Sequence, residues 1–152
     1  MMQPNEIILR PANLFAFLHV FPLILLAIVF LLLAWYLSPF FILFSLIVLA
    51  VVWYRFLLIR SRRYLIEPEF IRMTSGILFK RTEQVELYRV KDYTITQPFL
   101  HQLFRMMDLT LKTTDPGNPV IFLRGIPQSD IVDTIRERVQ EARQHNKIYE
   151  IN

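Results

Sequence analysis

The residues of this chain that could do chemistry are three histidines and a scatter of carboxylates, and their spacing indicates no catalytic site. His101 and His145 have no paired nucleophile, and Glu67 and Glu69 flank Pro68 in a predicted turn, where carboxylates are ordinarily solvated. Three glycines and no cysteine leave no glycine-rich phosphate loop, no disulfide and no thiolate chemistry. The carboxylates of Asp108, Asp115 and Asp130 do not have the spacing that metal ligands show. The sequence therefore predicts no catalytic residue, no cofactor and no metal site.

The most concentrated charge is the stretch RFLLIRSRR at residues 55–63, which holds Arg55, Arg60, Arg62 and Arg63. Such a cluster can grip nucleic acid, bind lipid phosphate or mark the cytoplasmic side of a membrane. The net charge of +4 is mild, and beyond this stretch the basic residues alternate with acidic ones. No second basic element that would support nucleic-acid binding is present in the sequence, so we expect no nucleic-acid partner.

The segment before these arginines is apolar, with no Asp, Glu, Lys or Arg from Leu14 to Tyr54. Roughly forty residues suffice for two membrane crossings of about 20 residues each. Ser38-Pro39 interrupts the run, because proline cannot continue a helical ladder, and predicts spans at about 14–37 and 40–59. No small-x-small cleavage pattern follows, which argues against a signal peptide. One bent or re-entrant apolar structure is the alternative.

Two spans place both termini on one side of the membrane, and the arginine cluster predicts that this side is cytoplasmic. The expected organisation is an N-terminal cytoplasmic segment at 1–13, a transmembrane hairpin at 14–61, a polar domain at 62–147 and a tail at 148–152. His19 is ionisable and lies within the first span, which makes it a functional candidate. A neutral imidazole that reaches the interface is the plainer interpretation.

The polar part alternates apolar and polar residues in short runs, among them FIRMT, QVEL, DYTITQ, DLTLKT and VIFLRG. This pattern predicts about seven half-buried antiparallel strands after Arg63. At about 129–145, an apolar stripe at helical spacing predicts one amphipathic helix, formed by Val132, Ile135, Val139 and Ala142. The predicted fold is a curled sheet or partial barrel with this α-helix capping one end.

Between two of the strands, the segment PFLHQLFRMM places five apolar residues on one helical face: Phe99, Leu100, Leu103, Phe104 and Met107. We expect a short helix that plugs the sheet. The alternative is an exposed apolar ridge that contacts the bilayer or a protein partner.

Residues 10–145 as a whole resemble the small bacterial membrane proteins that carry a bacterial pleckstrin-homology (PH)-like domain. The resemblance is carried by RRYLIEPEFIRMTSGILFKRTEQVELYRVKDYTITQPFLHQLFRMMDLTLKT and by the later Gly125-Ile126. Many relatives place a glycine just before the sixth strand, where this chain has Arg105-Met106-Met107. The resemblance implies a seven-stranded PH-like sheet with a C-terminal helix, a non-catalytic role, and a multi-pass protein of the bacterial cytoplasmic (inner) membrane.

Three functions fit these features. The first is a membrane-tethered adaptor whose PH-like domain docks a protein partner or another copy of itself through a sheet edge or the Phe99–Met107 segment. The second is an anionic-phospholipid headgroup module, in which the arginines of RFLLIRSRR are joined by Arg72, Lys80 and Arg81. The third is an accessory subunit that acts through its hairpin, although no small-xxx-small pattern supports close helix association.

Overall fold

The structure, a computed structural model, describes residues 6–145. In chain order its elements are β1 (Ile7–Leu9), α1 (Asn13–Tyr36), α2 (Phe41–Arg60), β2 (Arg63–Ile66), β3 (Phe70–Ser75), β4 (Arg81–Glu86), β5 (Val90–Thr96), α3 (Phe99–Leu103), β6 (Met106–Thr113), β7 (Val120–Pro127) and α4 (Ile131–His145). The two long helices, the antiparallel strands and the final helix all confirm the predicted fold class. The predicted tail at 148–152 lies outside the described residues.

Helices α1 and α2 form a hairpin, and each is long and apolar enough to cross a membrane. They separate at Ser38-Pro39, as the proline predicts, and they pack along one shared face. Ser45 is buried in that face, and its hydroxyl donates to the Ala27 carbonyl oxygen at 3.1 Å. Most other side chains of the hairpin point outward, which is the arrangement that a lipid solvent favours over water.

The N-terminal segment contributes a strand, which the sequence interpretation did not foresee. Strand β1 pairs antiparallel with β2, with Ile7 opposite Ile66 and Leu9 opposite Tyr64. Six of the strands therefore follow the hairpin, and the seventh precedes it. A run of three apolar residues is too short to identify a strand, but here Ile7 and Leu9 pack against the domain core. The domain consequently holds both ends of the hairpin.

The strands form two antiparallel sheets, in the orders β1-β2-β3-β4 and β5-β6-β7. A 3-10 turn at Leu87–Arg89 connects them. The core between the sheets includes Ile66, Ile71, Leu111 and Leu123, none of which is more than 1% exposed. Helix α4 covers this core with the predicted stripe, and Arg138 donates to the Ile66 carbonyl oxygen at 2.8 Å.

The turn between the sheets is held by an ion pair in which Arg89 Nε lies 2.7 Å from a carboxylate oxygen of Glu86. Side-chain hydrogen bonds with Tyr88 and then Arg89 lower the pKa of Glu86, and the bond to Glu86 raises the pKa of Arg89. A lowered carboxyl pKa stabilises the fold above the ordinary pKa of glutamate, and this stabilisation is lost as pH falls through the lowered value. Both groups are solvated, so the contribution is small.

The hairpin joins the domain through a small cluster of buried residues, Phe15, Ala16, Ile59 and Met106.

Strand β7 contains a bulge beside this cluster. Met107 pairs with Ile126 and Leu109 with Leu123, so two residues of β7 face the single Asp108 of β6. Gly125 in this bulge has φ +63°, and a Cβ on it would overlap the Phe15 ring. Its N–H donates to Asp108 Oδ1 at 2.6 Å, and its carbonyl oxygen accepts from the Ala12 N–H at 2.8 Å.

Arg105 is the described non-glycine residue that adopts a left-handed backbone, with φ 51°. It stands just before β6, where the resemblance implies a glycine. Glycine adopts this left-handed conformation without strain, so the departure from the resembled family falls at a position whose backbone favours glycine. An L side chain in this conformation costs about 1–2 kcal/mol.

Replacing Arg105 with glycine is expected to raise the free energy of unfolding by about 0.5–1 kcal/mol, because relief of strain outweighs the added freedom of the unfolded chain. Thermal unfolding in detergent micelles, followed by circular dichroism, measures the change. Arg105→Ala is the matched control, since it removes the guanidinium but keeps the Cβ. An equal gain from both substitutions would assign the effect to the charge and not to the backbone.

Candidate functional site

Strand β5 is one of the two edge strands of the three-stranded sheet, the other being β7, and it pairs only with β6 among the described strands. Beyond Val90 every residue of β5 is exposed, on both faces of the strand. Tyr93 and Ile95 leave 37% and 48% of their surface uncovered. An edge strand presents unpaired backbone N–H and C=O groups, so β5 is a template on which an extended segment can add a further strand.

A groove of about 170 Å³ runs between β5 and the last turns of α4. Val90, Lys91 and Tyr93 form one wall, and the other is formed by Arg136, Val139, Gln140 and Arg143. Arg143 donates to the Val90 carbonyl oxygen at 2.7 Å, which ties the helix to the start of the strand. Basic and apolar groups line this groove, and no carboxylate does.

The segment Phe99–Met107 does not plug the sheet, so that expectation is wrong. Helix α3 lies on the surface, with Phe99 77% and Leu103 63% exposed, and Leu100 and Phe104 are also exposed. Met107 belongs to a different environment: it lies in β6, is 2% exposed and packs in the core. The helix ends at Leu103, so the strand alternation and not the helical period decides where Met107 points. The exposed set is Phe99, Leu100, Leu103 and Phe104.

A second exposed apolar feature is the turn between β3 and β4, which we call the β3–β4 tip (residues 77–79). Leu78 is 82% and Phe79 92% exposed. The Gly76 N–H beside the tip donates to the Ser61 hydroxyl at 3.2 Å, immediately after the end of α2. The sequence interpretation passed over this tip, although three consecutive apolar residues after Ser75-Gly76 were a signal of it.

Both apolar features lie where the hairpin meets the domain. His101 of α3 contacts Phe15 in the first turn of α1, with ring centroids 5.6 Å apart. The β3–β4 tip lies beside the last turn of α2, since Leu58 and Phe79 line one cavity. An exposed apolar segment therefore lies next to the start of α1, and another lies next to the end of α2.

The basic residues predicted to contact headgroups are separated into groups. Arg72 lies 3.6 Å from a Glu67 carboxylate oxygen, and Arg81 lies 2.6 Å from one of Glu83. Lys80 is exposed beside the β3–β4 tip, and so are Arg60 and Arg63 at the end of the hairpin. Arg55 and Arg62 line a common cavity, together with His19 and an arginine that the sequence interpretation did not single out, Arg124.

The remaining titratable candidates form no catalytic arrangement in the described chain. His101 Nδ1 is buried 3.7 Å from Asp108 Oδ1, and Glu67 is engaged by Arg72. The side chain of His145 lies outside the described part. Within residues 6–145, no three imidazole or carboxylate groups gather as a metal ion would require.

Comparison with known proteins addresses the identity of this fold. A profile described as bacterial PH domain matches residues 13–143, a range that includes the hairpin and nearly all of the two sheets and α4. No curated protein and no solved structure matched the chain. Two antiparallel sheets closed by a C-terminal helix are the PH-like fold that the sequence resemblance implies. The chain belongs to the bacterial PH domain family.

Proposed function

We propose that this protein is a membrane-anchored, non-catalytic adaptor whose PH-like domain docks a protein partner at the cytoplasmic surface of the bacterial inner membrane. The observation that carries the proposal is the open edge of β5, which is exposed on both faces beside the α4 groove. Strand addition at such an edge supplies main-chain hydrogen bonds, and the neighbouring groove supplies selectivity for side chains.

The walls of the groove indicate the chemistry of the docked segment. Lys91 and Arg136 are exposed at its rim, and Val139 contributes apolar surface. An extended segment with acidic residues and at least one apolar side chain complements this lining, because opposite charges set register and orientation at interfaces. A second copy of the chain would be docked by the same edge and would be detected as a self-adduct.

A photo-crosslinking residue placed at Tyr93 tests the proposal in cells that express the full chain. We expect a discrete adduct, and the combined substitution Lys91→Gln and Arg136→Gln should lower its yield about five- to tenfold, because two exposed ion pairs contribute up to roughly 1 kcal/mol each. A synthetic peptide copied from the crosslinked segment should compete with the partner for the purified protein.

Both controls lie outside the groove. Phe122 is an exposed aromatic residue on β7, the opposite edge strand of this sheet, which has no part in the groove, and a crosslinker there should give no such adduct. Lys80→Gln removes an exposed positive charge outside the groove and off the β5 strand, and should leave the yield unchanged. Docking on β5 would be refuted by equal adduct yields from crosslinkers at the positions of Tyr93 and Phe122. It would also be refuted if the groove substitutions left the adduct yield unchanged.

We infer that the domain rests directly on the bilayer. The hairpin spans the membrane, the arginines of residues 55–63 keep both termini cytoplasmic, and α3 and the β3–β4 tip enter the interfacial layer on either side of the hairpin. Support comes from the exposure of Leu78, Phe79, Phe99 and Leu103 next to the ends of two helices of membrane-spanning length. Water would favour burial of these side chains, whereas lipid accepts them as they stand.

A further inference from the structure

A cavity of about 250 Å³ lies where the hairpin meets the domain, between the first turns of α1 and the last turns of α2. Phe15 and Ile59 form its apolar floor and are 6% and 7% exposed. Its polar lining comes from four side chains on three different elements or their ends: His19 of α1, Arg55 and Arg62 at the end of α2, and Arg124 of β7.

The charge of this lining is uncompensated. No carboxylate lines the cavity, and within residues 6–145 none forms an ion pair with Arg55, Arg62 or Arg124. Other arginines of the domain do have such partners, as Arg72, Arg81 and Arg89 show. Three guanidinium groups that share one cavity repel each other, and an anion between them removes that repulsion.

The polar side chains that line the cavity come from parts of the chain that are far apart in sequence. The bulge in β7 leaves Arg124 exposed between the buried Leu123 and Gly125, and its guanidinium lies over the Phe122 ring, 5.0 Å from the centroid. The same bulge admits the Phe15 ring that floors the cavity. The arrangement thus depends on the contact between domain and hairpin, and neither part contains the whole site.

The depth of the cavity matches the headgroup layer. From Asn13 to His19 the helix rises roughly 9 Å, and from Arg55 to Arg60 roughly 7.5 Å, at 1.5 Å per residue. The polar layer of each leaflet is about 5–8 Å thick, so a cavity that begins at the helix ends lies at the level of the lipid phosphates. The guanidinium fork binds phosphate oxygens in pairs, and the apolar hairpin surface beside it accepts acyl chains.

We propose that this cavity binds the phosphate of an anionic phospholipid, held by Arg55, Arg62 and Arg124 with His19 as a further polar contact. The site is independent of docking on β5, since it shares no residue with the α4 groove. It assigns a role to His19 and separates the arginines of RFLLIRSRR into two that bind the headgroup and two, Arg60 and Arg63, that lie outside the cavity.

Native mass spectrometry of the full-length protein, delipidated in detergent and titrated with phosphatidylglycerol, tests this site. The combined substitution Arg55→Gln and Arg124→Gln is expected to weaken binding at least tenfold. The matched control Arg60→Gln with Arg63→Gln removes the same charge from the neighbouring surface and should change binding less than threefold. Equal weakening by the two pairs would overturn the proposal, because it would show diffuse attraction and no defined site.

Two further arms identify the ligand and guard against misfolding. Phosphatidylcholine and inorganic phosphate, titrated in the same way, should bind at least tenfold more weakly than phosphatidylglycerol; inorganic phosphate that bound equally well would overturn the assignment to a lipid. Arg55→Lys with Arg124→Lys keeps the charge but not the paired donors, and should fall between the native protein and the glutamine pair. Native-like binding by the lysine pair would overturn the role of the guanidinium geometry.

Discussion

Replacing Gly125 with alanine is expected to lower the free energy of unfolding by about 2–4 kcal/mol, the sum of a strained left-handed backbone and an overpacked junction. The new Cβ would overlap the Phe15 ring, and Phe15 cannot move without opening the cluster that joins α1 to the domain. The Tm in detergent micelles should fall by about 5–15 °C, measured by the circular dichroism of the full chain.

The chain offers a matched control in Gly117. A Cβ there meets only an Asp115 carboxylate oxygen at ordinary contact distance, so Gly117→Ala should leave Tm nearly unchanged. Combining Gly125→Ala with Phe15→Ala separates the two causes, because removal of the ring abolishes the overlap but not the backbone strain. If the two single losses simply add in the double variant, the close approach of Phe15 is not responsible.

A fluorophore attached at position 79 is expected to lie within the lipid headgroup and upper acyl region when the full chain is reconstituted into liposomes. Leu78 and Phe79 are almost fully exposed, and placing both side chains in lipid contributes about 1.5–3 kcal/mol each. The chain has no cysteine, so Phe79→Cys supplies a single labelling site. Lipids that carry a shallow quencher should quench this label severalfold more than aqueous iodide does.

A label at Gly117→Cys is the control for depth. Strand β6 begins next to α3 and ends at Thr113, so the loop after it lies roughly 25 Å from the membrane-facing end at 3.3 Å per residue. Iodide should quench the label at 117 and lipid quenchers should not. A position-79 label with the same pattern as position 117 would contradict seating of the tip in the bilayer.

The junction between the hairpin and the domain determines how the exposed surfaces of the domain are oriented relative to the hairpin. Strand β1 precedes the hairpin and β2 follows it, and the two strands pair with each other, so the sheet holds the start of α1 and the end of α2 together. The hydrogen bond from Ala12 to Gly125 and the buried Phe15 add a second attachment. The domain is therefore held against the hairpin, which would keep β5 at a constant orientation to the membrane surface.

Much of this architecture is legible in the sequence, and the reasons are local. The absence of charge from Leu14 to Tyr54 and the break at Ser38-Pro39 determine the two helices, because chain length and proline geometry act within a few residues. The alternating runs determine the strands from β2 to β7, and the stripe on α4 determines which face covers the core. The departure from the glycine of the resembled family left the geometry of the turn before β6 open, and the structure shows Arg105 there in a left-handed conformation.

What the sequence left undetermined depends on contacts between distant residues. Ile7–Leu9 becomes a strand only because Tyr64–Ile66 presents an edge to it, and Phe99–Leu103 is exposed because Met107 and its neighbours already fill the core. Arg124 shares a cavity with Arg55 and Arg62 through the bulge at Gly125, although it is more than sixty residues from either along the chain. Periodicity reveals which face of a segment is apolar, but the partner of that face is chosen by packing, and packing exists only in the tertiary structure.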